Sequence, residues 1–214
     1  MQTSALVHIA SDAIVMEGML ALPPAARGVV LFAHGSGSSS LSPRNNHVAQ
    51  VLRNAGIGTL LLDLLTPDED LLYRNRFDIA LLTGRLRSAG AWLRTEPACR
   101  SLPLGLFGAS TGAAAALQLA ADPAAGVGAV VARGGRPDLA GAAALGAVRA
   151  PTLLIVGGRD EAVIELNRAA YAQLSCPKEL AIVPGATHLF EEPGALEAVA
   201  QLACRWFSAR LSVT

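Results

Sequence analysis

Cysteine, aromatic residues and net charge are all scarce in this chain, and each scarcity closes off a class of protein. The three cysteines, Cys99, Cys176 and Cys204, are an odd number at wide spacings. That pattern suits neither a disulfide framework nor a metal site and points to a reducing compartment, so a cytoplasmic location is expected. The 17 basic and 17 acidic side chains cancel and are dispersed, which argues against a nucleic acid or an anionic membrane as partner. The longest stretch without charge, Ser101–Ala121, contains Pro103, three glycines (Gly105, Gly108, Gly112) and polar Ser110, Thr111 and Gln118. It reads as a buried strand and helix rather than a membrane span. No basic region precedes the first apolar residues, so no secretory signal is expected. With no internal repeat, charge block or linker, the 214 residues are expected to make one domain around an aliphatic core, since 52% of them are hydrophobic and 4% aromatic.

What is present is a rhythm. After an opening antiparallel pair, Leu6–Ala10 and Val15–Leu22, the apolar runs Val29–Ala33, Thr59–Asp63, Leu104–Phe107, Ala129–Ala132, Thr152–Val156 and Glu179–Val183 read as strands buried on both faces. Helical stretches alternate with them, near Asn46–Asn54, Asp78–Leu93, Thr111–Ala121, Asp138–Val148, Glu161–Leu174 and Gly194–Arg210. The alternation predicts an α/β fold: a doubly wound, mostly parallel sheet of about eight strands with helices on both faces.

Within this rhythm, LGLFGASTG at Leu104–Gly112 places a GxSxG pentapeptide between an apolar run and an alanine-rich helix former. Strand, sharp turn, helix is the context of a nucleophile elbow: glycines two before and two after Ser110 leave room for backbones packed on either side of a strained serine. The N–H of Thr111, at the start of the following helix, is placed to meet developing negative charge.

In such sheets the functional groups collect in loops past the carboxyl ends of the strands. Four loops carry candidates: His34-Gly35-Ser36-Gly37-Ser38-Ser39-Ser40, the Ser110 elbow, Gly157-Gly158-Arg159-Asp160-Glu161 and Pro184-Gly185-Ala186-Thr187-His188. A serine hydroxyl is a poor nucleophile near neutral pH. It needs an imidazole base, and the imidazole needs a carboxylate to fix its tautomer, so Ser110, His188 and Asp160 are the candidate catalytic residues. Asp160 also fits as a mere helix cap, and Asp138 in RGGRPD is a rival for the acid.

The motifs HGSGSSS, GASTG, LLIVGGRDE and VPGATHLF, spread over nearly the whole chain, together resemble the α/β-hydrolase superfamily, and within it the small group without a cap domain that is similar to dienelactone hydrolase. The resemblance implies a serine hydrolase or esterase needing no metal and no organic cofactor. It implies that the loop opened by His34 supplies one oxyanion-hole N–H from Ser36, beside that of Thr111. Dienelactone hydrolases proper carry cysteine as nucleophile where this chain has Ser110, which turns the expectation from a lactone toward an ordinary small ester. A carboxylate-bearing lactone is the alternative substrate.

The remaining candidates divide between chemistry and scaffolding. His8 and His47 read as structural, and His34 as a brace for its own loop with substrate binding as a further role. Arg133 and Arg136, bracketing Gly134-Gly135, are candidates for holding a substrate carboxylate, against the plainer reading of surface arginines or a pair with Asp68-Glu69-Asp70. A dinucleotide-binding reading of Gly35–Ser40 with Asp63 as ribose acid lacks the third glycine, since Ser40 stands there, and leaves GASTG, GGRDE and GATH unexplained. A hydrolase fold used only for binding usually loses a triad member, and none is lost here. The oligomeric state is not legible.

Overall fold

The computed structural model describes residues 3–211; Met1, Gln2 and Ser212–Thr214, included in the expected single domain, lie outside them. Eight strands form one sheet: β1 (Thr3–Ser11), β2 (Ile14–Leu22), β3 (Val29–Ala33), β4 (Gly58–Leu62), β5 (Leu104–Ala109), β6 (Val127–Arg133), β7 (Thr152–Gly157) and β8 (Lys178–Val183). Their order in space is β1-β2-β4-β3-β5-β6-β7-β8. The β1–β2 and β2–β4 pairs are antiparallel and the other five are parallel, as the rhythm predicted. The helices are α1 (Pro43–Asn54), α2 (Pro67–Leu71), α3 (Ile79–Thr95), α4 (Thr111–Ala120), α5 (Ala142–Ala147), α6 (Glu161–Gln173) and α7 (Ala195–Arg210). No helix among the described residues is long and apolar enough to cross a membrane.

Two-residue alternation along each central strand divides the core into two layers. Val30, Phe32, Phe107, Ala129, Val131, Leu153 and Ile155 pack against α1 and α7. Leu31, Ala33, Leu104, Leu106, Val130, Ala132 and Leu154 pack against α3 and α4 on the opposite face. The alanine run of α4 is fully buried, which lets that helix lie close to the sheet behind the elbow.

Three elements depart from the sequence-based expectation. β8 is half exposed along most of its length rather than buried on both faces, because it is the edge strand and only β7 pairs with it. The helix expected over Asp138–Val148 is broken into a 3-10 turn at Pro137–Ala140 and the short α5 by Gly141, whose φ of +83° no regular helix accommodates. α2 was not anticipated, although Thr66-Pro67-Asp68-Glu69 spells a capping box: Glu69 N–H donates to Thr66 Oγ1 at 3.2 Å and Thr66 N–H to Glu69 Oε2 at 2.9 Å. The connection from β6 to β7 holds only that 3-10 turn and α5, so no cap domain covers the carboxyl end of the sheet there.

Candidate active site

Ser110 stands between the end of β5 and the start of α4 with φ +50° and ψ −120°, a conformation an L-residue adopts only under constraint. Its N–H donates to the Arg133 carbonyl at 3.2 Å, while its own carbonyl accepts from Ala113 and Arg136 N–H at 3.1 and 3.0 Å. The flanking glycines are required by packing. A Cβ at Gly108 would lie 2.5 Å from Ala113 Cα, and one at Gly112 would overlap the Ala33 carbonyl oxygen. The backbone of Gly35 presses on the serine from the other side, since a Cβ there would stand 2.9 Å from Ser110 Cβ.

His188 and Asp160 are brought together by two interlocked turns. Gly158 N–H donates to the Val183 carbonyl at 2.8 Å and Arg159 N–H to the Ala186 carbonyl at 2.9 Å, binding the GGRD turn after β7 to the PGATH turn after β8. Across this seam the His188 Nδ1 to Asp160 Oδ2 distance is 2.6 Å, short enough for a charge-assisted hydrogen bond. Asp160 occupies the N-cap position of α6, yet its side chain makes no capping bond. The His188 ring faces the segment that follows β6: a Cβ on Gly134 would come within 3.5 Å of its Cε1. Arg133, next in the chain, is the acceptor for Ser110 N–H, so serine and imidazole both abut Arg133–Gly134.

The rival carboxylate is committed elsewhere. Asp138 receives a bidentate pair from Arg136, Nε to Oδ1 at 2.9 Å and Nη2 to Oδ2 at 2.7 Å, and this bond raises the guanidinium's pKa. Arg133 is not on the rim where the sequence reading put it. It is 7% exposed, its Nη2 donates to Asn45 Oδ1 at 3.2 Å, and its guanidinium lies 5.7 Å from the centre of the Phe190 ring. Burial, and then the charge of Arg44, push its pKa down to about 10. Neither arginine pairs with the acidic segment of α2, where Arg76 binds Asp70 and Arg85 binds Glu69, each at 2.7 Å.

The loop after β3 is braced as expected of His34. Leu64 N–H donates to its Nε2 at 3.0 Å, which leaves Nδ1 to donate to the Gly35 carbonyl at 3.0 Å and fixes a neutral ring. Asp63, the ribose acid of the nucleotide reading, instead accepts from Ser40 N–H at 2.6 Å and Ser40 Oγ at 3.1 Å. Ser36 N–H donates to Thr111 Oγ1 at 3.1 Å, so the two residues named for the oxyanion hole are in direct contact. Sequence reasoning missed Arg76, which would lie 3.6 Å from a Cβ on Gly37. It also missed Glu192, whose carboxylate accepts Thr187 N–H at 3.1 Å and is held below its usual pKa by that bond. The Arg76 contact is made between residues distant in sequence, and the Glu192 contact closes a turn within the single connection from β8 to α7, where no recognised motif marks it.

Beside the site, behind the His34 loop, lies a cavity of about 450 Å³ whose lining includes Met16, Leu65 and Pro67 with Glu17, Asp63 and Asp70. Among the described residues no three His, Cys, Asp or Glu side chains converge as metal ligands would. His8 and His47 meet Glu17 and Glu197 at 3.5 and 2.9 Å on the surface, in keeping with structural roles.

A mostly parallel sheet with an elbow serine after β5 and an Asp–His pair on the turns after β7 and β8 defines an α/β-hydrolase. The Dienelactone hydrolase family model matches residues 16–213, and the chain belongs to that family. It is similar to a dienelactone hydrolase from Anabaena variabilis, with 54% identity, a TM-score of 0.94, and coverage of 98% of this chain and 99% of that one. It shares its fold with Est1E from Butyrivibrio proteoclasticus, at 17% identity and a TM-score of 0.81, covering 96% of this chain and 98% of the other. A Mycobacterium tuberculosis protein provisionally named a phosphoribosyl transferase is 59% identical over 201 residues, which are 94% of this chain and 45% of that protein. The chain thus spans about half the length of the curated relatives it matches.

Proposed function

We propose that the chain is a serine hydrolase of small, uncharged carboxylic esters. Ser110 Oγ adds to the ester carbonyl carbon while its proton passes to His188 Nε2, and Asp160 holds the resulting imidazolium through Nδ1–H. The tetrahedral oxyanion accepts from Thr111 N–H and Ser36 N–H, replacing the Thr111 hydroxyl as the acceptor for Ser36. Collapse expels the alcohol, which takes the proton from Nε2. Water then attacks the acyl-enzyme, its proton going to His188, and the acid departs as Ser110 recovers its own. The observation that carries this reading is the 2.6 Å His188–Asp160 contact from a carboxylate that forgoes its capping bond.

The preference for uncharged substrates follows from charge. Arg133 is buried and Arg136 is neutralised by Asp138. The cavity beside the site is lined by three carboxylates and no lysine or arginine, and Arg76, at the edge of the His34 loop, is paired with Asp70. This disfavours the carboxylate-bearing lactone. The name of the Mycobacterium relatives points to a transferase, but this chain spans only 45% of that protein and the hydrolase family accounts for residues 16–213 here, so the hydrolase reading is the one adopted. A panel of p-nitrophenyl esters of rising acyl length, with lactones and thioesters beside it, tests the reading: turnover should be highest for short neutral esters, and none on any of them would overturn it.

A further inference from the structure

Arg133 is an unusual residue to bury. It ends β6 between Ala109 of β5 and Ile155 of β7, no carboxylate pairs with it among the described residues, and its Nε has no hydrogen-bond partner. A lone buried guanidinium is costly, and an apolar side chain of the same length would fill the space without that cost. Its two contacts share one consequence. Asn45, which receives its Nη2, lies in the first turn of α1, and Phe190, whose ring faces its guanidinium, is two residues beyond His188.

Phe190 is itself strained, at φ +56° and 1% exposed, a conformation that bulky residues hold only when their surroundings impose it. Outside this buried link a second one runs parallel: Arg44 Nη1 donates to Glu191 Oε1 at 3.1 Å. Two successive residues of α1 are therefore tied to two successive residues after the imidazole. α1 in turn begins directly after the loop that bears Ser36, with Ser42 as its cap. The oxyanion loop and the base-bearing turn follow different strands, β3 and β8, so these ties link them directly, in addition to the sheet they share.

We propose that Arg133 is a positioning residue, which holds the His188 turn in register with the Ser36 loop by clamping Phe190 against the first turn of α1. The proposal rests on the reading of His188 as the base. The side chain is 7% exposed and acts through Phe190 and Asn45, not by touching substrate. A displacement of the imidazole of about 1 Å is enough to cost on the order of a hundredfold in turnover.

The test compares Arg133→Met, Arg133→Lys and Phe190→Leu with the parent on p-nitrophenyl acetate, reading kcat, KM and thermal midpoint, with Ser110→Ala alongside. Arg133→Met should lower kcat by roughly ten- to a hundredfold with KM within twofold and a thermal midpoint equal to or above the parent's. A residue that only supports the fold would lower the midpoint and leave kcat of the folded fraction unchanged. Arg133→Lys should recover part of the lost kcat, and Phe190→Leu combined with Arg133→Met should lose no more than the worse of the two alone. Parental kcat in Arg133→Met would overturn the proposal, and if that variant fails to fold, parental kcat in Phe190→Leu would do so. Activity surviving in Ser110→Ala would instead overturn the hydrolase reading itself.

Discussion

The carboxylate of Asp160 lies at the N-cap of α6 but turns away from the helix to meet His188 Nδ1 at 2.6 Å. Aspartate at an N-cap ordinarily accepts from the N–H groups of the first turn. In the proposed mechanism the gain is a fixed imidazole tautomer with Nε2 free for the proton of Ser110. The Asp138 carboxylate, by contrast, is saturated by Arg136.

This contrast separates the two acids. Asp160→Asn is expected to lower turnover by roughly ten-thousand-fold, because an amide favours the wrong imidazole tautomer, with a change in stability below about 1 kcal/mol since no cap bond is lost. Asp138→Asn should retain activity within about threefold, as expected when only a partly exposed ion pair is weakened. Parallel kcat measurements decide it, and a dead Asp138 variant would move the acid to the loop after β6.

Arg136 pairs with Asp138 at 2.7 Å, with both side chains about one-third exposed. Replacing it by alanine is expected to change stability by less than about 1 kcal/mol. The variant should alter kcat/KM equally for a neutral ester and for its carboxylate-bearing analogue. A selective loss on the anionic substrate would show that Arg136 leaves Asp138 to bind it.

Gly112 offers a packing prediction. A Cβ there would overlap the Ala33 carbonyl oxygen, and since the obstacle is backbone, neither side yields without shifting β3 against α4. Gly112→Ala should therefore destabilise the fold by about 3 kcal/mol, at the upper end of ordinary overpacking, read from the urea midpoint. A change below about 1 kcal/mol would mean that the elbow is looser than its contacts imply.

Much of the fold was legible because the buried strands are apolar runs bounded by turn residues, and Val29–Ala33 was placed to the residue. The Ser110, Asp160 and His188 loops were legible because strand order dictates where loops emerge. Arg133 was misplaced for a physical reason: a charge at a strand end suggests a rim, yet side-chain alternation puts it on the face of Ala129 and Val131, toward α1 and α7. The half-exposed character of β8 depends on its place at the edge of the sheet among the described residues, a property of topology rather than of its own residues. α2 is encoded in the capping box of Thr66–Glu69, yet its polar turn has no apolar periodicity to mark it as a helix.

With no cap between β6 and β7, little surface is available to grip a long acyl chain. Acetyl and butyryl esters should be turned over faster than palmitoyl esters, with no jump in rate when substrate passes its critical micelle concentration. Interfacial activation on long-chain triglyceride emulsions would contradict an open site.

The central claim is that Ser110 is a nucleophile activated by His188, and labelling by a fluorophosphonate followed by peptide mass mapping tests it most directly. The account predicts a single adduct on Ser110 in the parent protein, loss of ester hydrolysis in step with labelling, and labelling slowed by at least about a thousandfold in His188→Ala. An adduct on another residue, or Ser110→Ala retaining substantial ester hydrolysis, would contradict it.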